Sequence, residues 1–204
     1  MNHNSLIICL VSVVIVFFII TTYVHQKGKA FYTDRESKNK VRAKVYDIGV
    51  ENTPNLSQYT IFEKCVSIIT MILPLLFGKD VLYEYLNMFV TVILIRCIFI
   101  PLTILPKEKH CDDTELKIHN YIDGHCYDKI FSGHFASIVL LALVLGGRGL
   151  VNKSVLISGC LLYAFIIISL RYHYTADLAV GALIALVVYQ NKLSITKLFS
   201  ACKW

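Results

Sequence analysis

Apolar residues fall into six runs separated by polar stretches: Leu6 to Val24, Cys65 to Gly78, Val81 to Pro106, Ile130 to Gly146, Ser154 to Leu170 and Tyr172 to Gln190. Each run holds about 14 to 26 residues, against about 20 needed to cross the hydrocarbon of a bilayer. The pattern predicts six transmembrane helices, the second and fourth borrowing flanking residues and the second interrupted by Pro74. In hydrocarbon every backbone N–H and C=O must be bonded within its own segment, so spans of this kind are expected to be helical. The expected fold class is all-α, a polytopic membrane protein. Polarity divides it into an N-terminal anchor and polar connector over 1–59, a five-helix core over 60–190 and a short basic tail over 191–204. The connector carries Gly28, Gly49 and Pro54 among scattered Asn and Ser, and is expected to be irregular at least to Val45.

Composition supports the membrane reading: 56% of the residues are hydrophobic and the mean hydropathy is +0.61, too apolar for a soluble globule. The first run is expected to be a retained anchor rather than a signal peptide, because no Lys or Arg precedes it and no small-residue cleavage site follows Thr21-Thr22-Tyr23. The net charge of +6 does not point to nucleic acid. Seven of the twenty basic residues lie between Lys27 and Lys44, alternating with Asp34 and Glu36, which fits a juxtamembrane loop facing anionic headgroups. With six crossings, the connector, the 107–129 loop and the turn at Arg171 share one face with about twelve basic residues, against about six opposite. By the positive-inside rule that face is cytosolic. Of the seven cysteines, Cys9, Cys65, Cys97 and Cys160 sit in apolar runs as small hydrophobes. Cys111 and Cys126 share a loop and either pair, closing a ring of about 15 residues, or stay as thiols.

Candidate chemistry comes from ionisable residues beside these runs, where a charge or polar ring is expensive and marks function by default. His173 and Asp177 are spaced i, i+4, which puts them on one helical face if the sixth span begins near Tyr172. A carboxylate there holds the tautomer of an imidazole acting as nucleophile or base. The plainer alternative is an interfacial ion pair. His134 opens the fourth span directly after Ser132-Gly133, where a glycine allows close approach and helix N–H groups can receive an anion such as phosphate. Two imidazoles on opposite sides of a phosphorus can divide attack and protonation between them. Arg96 lies within the third run, 12 residues and about 18 Å of helix from Glu84, too far for one contact, so phosphate binding is expected of it. Arg171 is expected to share that role, its guanidinium suiting paired phosphate oxygens. Asp128, beside Lys129, reads as a loop charge or as a residue positioning the site. No metal and no cofactor is expected.

These residues form ordered motifs. The run Cys126-x-Asp128-x-x-Phe131-Ser132-Gly133-His134 and the run Arg171-x-His173-Tyr174-Thr175-x-Asp177 resemble those of the sphingomyelin synthase and inositol phosphorylceramide synthase family, relatives of the type 2 phosphatidic acid phosphatases. Arg96 with Thr103-Ile104-Leu105-Pro106 and His110-Cys111 resembles the family's third-helix motif, and Asp47-Ile48-Gly49 with Pro54-Asn55-Leu56 its segment before the second helix. The resemblance implies six spans and a site on the luminal or exterior face of the Golgi, another endomembrane or the plasma membrane, against the charge count. It implies that His173 takes the phospho-headgroup from a glycerophospholipid and releases diacylglycerol, that Asp177 orients it, and that His134 protonates the leaving oxygen and then deprotonates the ceramide hydroxyl that accepts the headgroup. The chain departs from the broader phosphatase pattern, with Ile167 and Ile168 in place of a Ser-Arg pair and Cys97 after Arg96. Tyr127 stands where many sphingomyelin synthases have glycine. The headgroup, phosphocholine, phosphoethanolamine or phosphoinositol, stays open. Two other readings remain: a lipid phosphatase with water as acceptor, and a small transporter with an intramembrane His/Asp path, which the missing inverted repeat disfavours.

Overall fold

A computed structural model describes residues 3–39, 45–59, 72–106, 127 and 129–195, with 65, 68 and 69 as single positions. Among the described residues the secondary structure is entirely helical: α1 (His3–Asn39), α2 (Ile48–Asn52), a 3-10 turn (Leu73–Phe77), α3 (Lys79–Leu102), α4 (Gly133–Gly147), α5 (Lys153–Ser169) and α6 (Thr175–Gln190). α1 over Ile7–Tyr32 and α3 are long and apolar enough to cross a membrane. α4, α5 and α6 have 15, 17 and 16 residues, a rise of about 22 to 26 Å against about 30 Å of hydrocarbon. Among the described residues, two of the expected six spans therefore qualify by length. The second run ends in the 3-10 turn because Pro74, in its first turn, lacks the N–H that an α-helical ladder needs.

The outward surface of the bundle carries large apolar side chains, Ile7, Ile8 and Ile19 on α1 and Val155, Ile157 and Leu161 on α5, all well exposed. That surface suits lipid rather than water. α4 is the central helix, packing on α3, α5 and α6. Its buried face, Ala136, Leu140, Leu141 and Val144, meets Tyr85, Met88 and Val92 of α3 and Ala185 and Val188 of α6. Small residues set the closest approach: a Cβ on Gly181 of α6 would lie 2.8 Å from the Ser132 carbonyl oxygen. Packing between membrane helices depends on such small contacts because lipid removes the hydrophobic drive between them. At the end of the bundle away from the histidines, Arg148 Nε donates to Glu84 at 2.8 Å, joining the turn after α4 to the first turns of α3. This accounts for Glu84 without Arg96.

α1 corrects the expectation of an irregular connector: the helix continues through Gly28 to Asn39. A glycine costs about 1 kcal/mol of helix propensity. Tertiary packing overrides that cost, since Val24 and His25 are buried, the Tyr32 ring stacks on Tyr127 at 6.0 Å, and its hydroxyl donates to the Ile104 carbonyl at 2.8 Å.

Residues 45–59 of the connector are clasped onto the ends of α5 and α6. Asp47 caps α2 by accepting from Val50 N–H at 2.9 Å, and it also accepts from the Thr175 N–H at 2.8 Å and hydroxyl at 2.6 Å, at the start of α6. Leu56 N–H donates to Ser169 C=O at 2.8 Å. Burial pushes the Asp47 carboxyl up, and the hydrogen bonds from the Thr175 hydroxyl and from Val50, Thr175 and Gly49 N–H outweigh it, holding the group below its ordinary value.

Two outcomes follow. Gly181→Ala must push α4 and α6 apart, because a backbone oxygen cannot swing away; we expect a loss of about 1 to 3 kcal/mol, read as an unfolding midpoint lowered by several degrees in detergent. An unchanged midpoint contradicts the contact. A carboxyl lowered by folding stabilises above its unfolded value and loses that effect as pH falls through the folded one. The midpoint gap between wild type and Asp47→Asn should therefore be present at pH 7 and narrow below about pH 3.9. A gap that does not change with pH contradicts the clasp.

Candidate active site

The turn between α5 and α6 builds the first half of the site. Leu170 closes α5, and Arg171 enters the left-handed region at φ 60°, with Arg171 N–H donating to Ile168 C=O at 3.0 Å and Tyr172 N–H to Ile167 C=O at 3.1 Å. The chain therefore reverses, and α6 starts at Thr175 instead of near Tyr172 as its spacing predicts. His173 sits in the turn and Asp177 in the first turn of α6. The two still meet: His173 Nδ1 is 3.4 Å from Asp177 Oδ2, and that carboxylate also accepts from the Tyr174 N–H at 3.1 Å.

His173 Nδ1 has a second acceptor, the Lys129 carbonyl at 3.3 Å. A ring nitrogen facing two oxygen acceptors carries the proton, which leaves the Nε2 lone pair unprotonated and nucleophilic. A neutral imidazole with its proton on Nδ1 is the form that can attack an electrophile through Nε2.

The second half comes from the start of α4. Ser132 is fully buried and N-caps the helix, its hydroxyl accepting from Phe135 N–H at 3.1 Å, while its own N–H donates to the Asp177 carbonyl at 3.0 Å. The motifs at 132–134 and 173–177 are thus joined through one backbone hydrogen bond. Phe131, just before them, is held at φ 27°, an unfavourable backbone for a residue with a Cβ, and is buried against Phe99. Gly133 admits Arg96: a Cβ there would lie 2.7 Å from Arg96 Nη1. Arg96, a residue only 5% exposed, therefore lays its guanidinium against the N-terminal turn of α4. A helix N-terminus is itself electropositive, so two positive features converge on one place, a setting that suits an anion, and the guanidinium lies also over the Phe17 ring, 5.5 Å from its centroid.

Arg96, Gly133, His134 and Ser137 line one part of a cavity of about 450 Å³ whose other walls are apolar, including Phe17 and Phe18 of α1, Leu75 beside the 3-10 turn's Pro74, and Leu86 and Phe89 of α3. The Tyr172 ring makes edge contacts with both imidazoles, 5.4 Å from His134 and 5.4 Å from His173 between centroids. The fold thus gathers His134, His173, Asp177, Arg96, Ser132 and Gly133 at one end of the bundle. Arg171 is near but its guanidinium holds the connector, donating to Thr53 Oγ1 at 3.0 Å, to Thr53 C=O at 2.9 Å and to Ile168 C=O at 3.3 Å. Asp128, Cys111 and Cys126 lie outside the described residues. Three participants escape a reading of the sequence: Lys129, Tyr172 and the clasp of Asp47 on Thr175. The position of Lys129, between two motif residues and an apolar run, is the one local signal for it.

Comparison with known families matches residues 125–193 to the model described as PAP2 superfamily C-terminal. No curated protein matches the chain. The matched segment contains His134, His173 and Asp177 in one continuous stretch and excludes Arg96. Members of that superfamily are typically phosphatases or phosphotransferases, so the matched segment is PAP2-like and supports phosphoryl-transfer chemistry at a coarse level.

Proposed function

We propose that the protein is a multi-pass membrane phosphotransferase that moves a phospho-headgroup from a glycerophospholipid to ceramide, with its site on the luminal or exterior face of an endomembrane or the plasma membrane. One observation carries the reading furthest: the Arg96 guanidinium and the N-terminus of α4 share one end of a cavity that is otherwise apolar. An anionic head with hydrocarbon tails fits that division of polarity, and a free polar phosphate ester does not need it.

The reaction follows from the residues. Arg96 and the α4 N–H groups hold the phosphate oxygens. His173 Nε2 attacks phosphorus, the bond from phosphorus to the diacylglycerol oxygen breaks, and that oxygen takes a proton from His134. Asp177 and the Lys129 carbonyl keep the proton on Nδ1 and stabilise the positive charge that the imidazole gains. His134, now neutral, takes the proton of the ceramide hydroxyl as its oxygen attacks phosphorus, and the bond to Nε2 breaks. The apolar walls supply the second substrate's setting and limit access of water.

Purified protein incubated with labelled phosphatidylcholine, phosphatidylethanolamine and phosphatidylinositol, each with and without ceramide, tests the proposal. Diacylglycerol release that requires ceramide is expected; release at the same rate without it makes the protein a hydrolase. His173→Ala should abolish release, and His134→Ala should slow it by about 10² to 10⁴, the usual weight of general acid catalysis. Full turnover by His173→Ala would exclude this mechanism.

A further inference from the structure

We propose that Lys129 is the second cation of the phosphate site, in the place that the sequence pattern gives to Arg171; this rests on the phosphoryl-transfer reading above. Lys129 is 7% exposed, and among the described residues no carboxylate lies within ion-pair distance of it. Its Nζ donates to the Tyr172 carbonyl at 2.9 Å and lies 5.2 Å from the centre of the Tyr172 ring. An ammonium carries three donors, and the carbonyl takes one. A buried cation held only by a carbonyl and a ring face bears a desolvation cost that an anionic ligand offsets.

Its location ties that charge to the reacting groups. The same Tyr172 ring touches both His134 and His173, and the Lys129 carbonyl is 3.3 Å from His173 Nδ1. Arg171, by contrast, spends its donors on Thr53 and Ile168, pinning the connector over the turn. A compact ammonium with donors to spare complements the planar guanidinium of Arg96 as a binder of phosphate. Lys129 would thus bind the phosphate through its side chain while its carbonyl sets the tautomer of the nucleophile.

The probe is inorganic phosphate, and the readout is the rise it causes in the unfolding temperature of the purified full chain in detergent. We expect Lys129→Met to need about tenfold more phosphate, or greater, for the same rise. Lys129→Arg should stay close to wild type, and Lys153→Met, at the far end of the bundle, should equal it. An equal phosphate response in Lys129→Met, or no response in the wild-type chain, overturns the proposal. A purely structural role would lower the starting midpoint without changing the phosphate dependence, and that result overturns it too. Should Lys129→Met fail to fold, acetylation of Lys129 in the wild-type chain decides: slowing by phosphate supports the proposal and an unchanged rate overturns it. Phosphate binding through Lys129 without diacylglycerol release would overturn the transferase reading alone. Headgroup transfer by Lys129→Met with unchanged kcat/KM would overturn the role of Lys129 alone.

Discussion

The close meeting of Arg96 with the N-terminus of α4 is the contact on which this end of the molecule is built, the guanidinium lying also over the Phe17 ring, 5.5 Å from its centroid. Gly133 permits that meeting because any side chain there would collide with the guanidinium. Nearly everything else at this end of the molecule fixes the geometry around it. The Ser132 N–H held by the Asp177 carbonyl sets α4 against α6, and Gly181 lets the two helices come close enough for that bond to form. A guanidinium at the positive end of a helix is unfavourable by itself. In the proposed function a phosphate stands between the two, which ties that reading to the fold.

The two histidines are held by different means, and the difference matches their proposed roles. His173 is locked: its Nδ1 faces a carboxylate and a carbonyl, so one tautomer is selected and one nitrogen is left for attack. His134 opens a helix and lines the cavity, where a proton donor and acceptor has to reach both a leaving and an entering oxygen. The connector stabilises the turn that carries His173 from outside, through Asp47 on Thr175 and Arg171 on Thr53. Arg171 is the clearest case of a residue whose chemistry fits one role while its contacts serve another.

Helix positions from the third run onward were legible in the sequence to within a few residues, because apolar length is a local property of the chain. Two features were not. The extension of α1 past Gly28 depends on Tyr127, about a hundred residues away, and no local propensity encodes it. The start of α6 depends on a left-handed Arg171, whereas the i, i+4 spacing of His173 and Asp177 reads as one helix face. The pair meets all the same, since a turn followed by a helix N-terminus brings position i near position i+4 much as a helix does. Lys129 was hidden for a related reason: beside Asp128 it reads as solvated, and only the carbonyl of Tyr172, distant in sequence, takes it inside.

The central claim is that His173 attacks phosphorus through Nε2 while its Nδ1 proton is held by Asp177 and the Lys129 carbonyl. Rapid quenching of the purified protein with a headgroup-labelled donor lipid, followed by mass spectrometry under neutral conditions, tests it most directly. The account predicts a phospho-headgroup adduct on His173, bonded at Nε2. An adduct on another residue, an adduct at Nδ1, or full turnover with no covalent species at any time would contradict it.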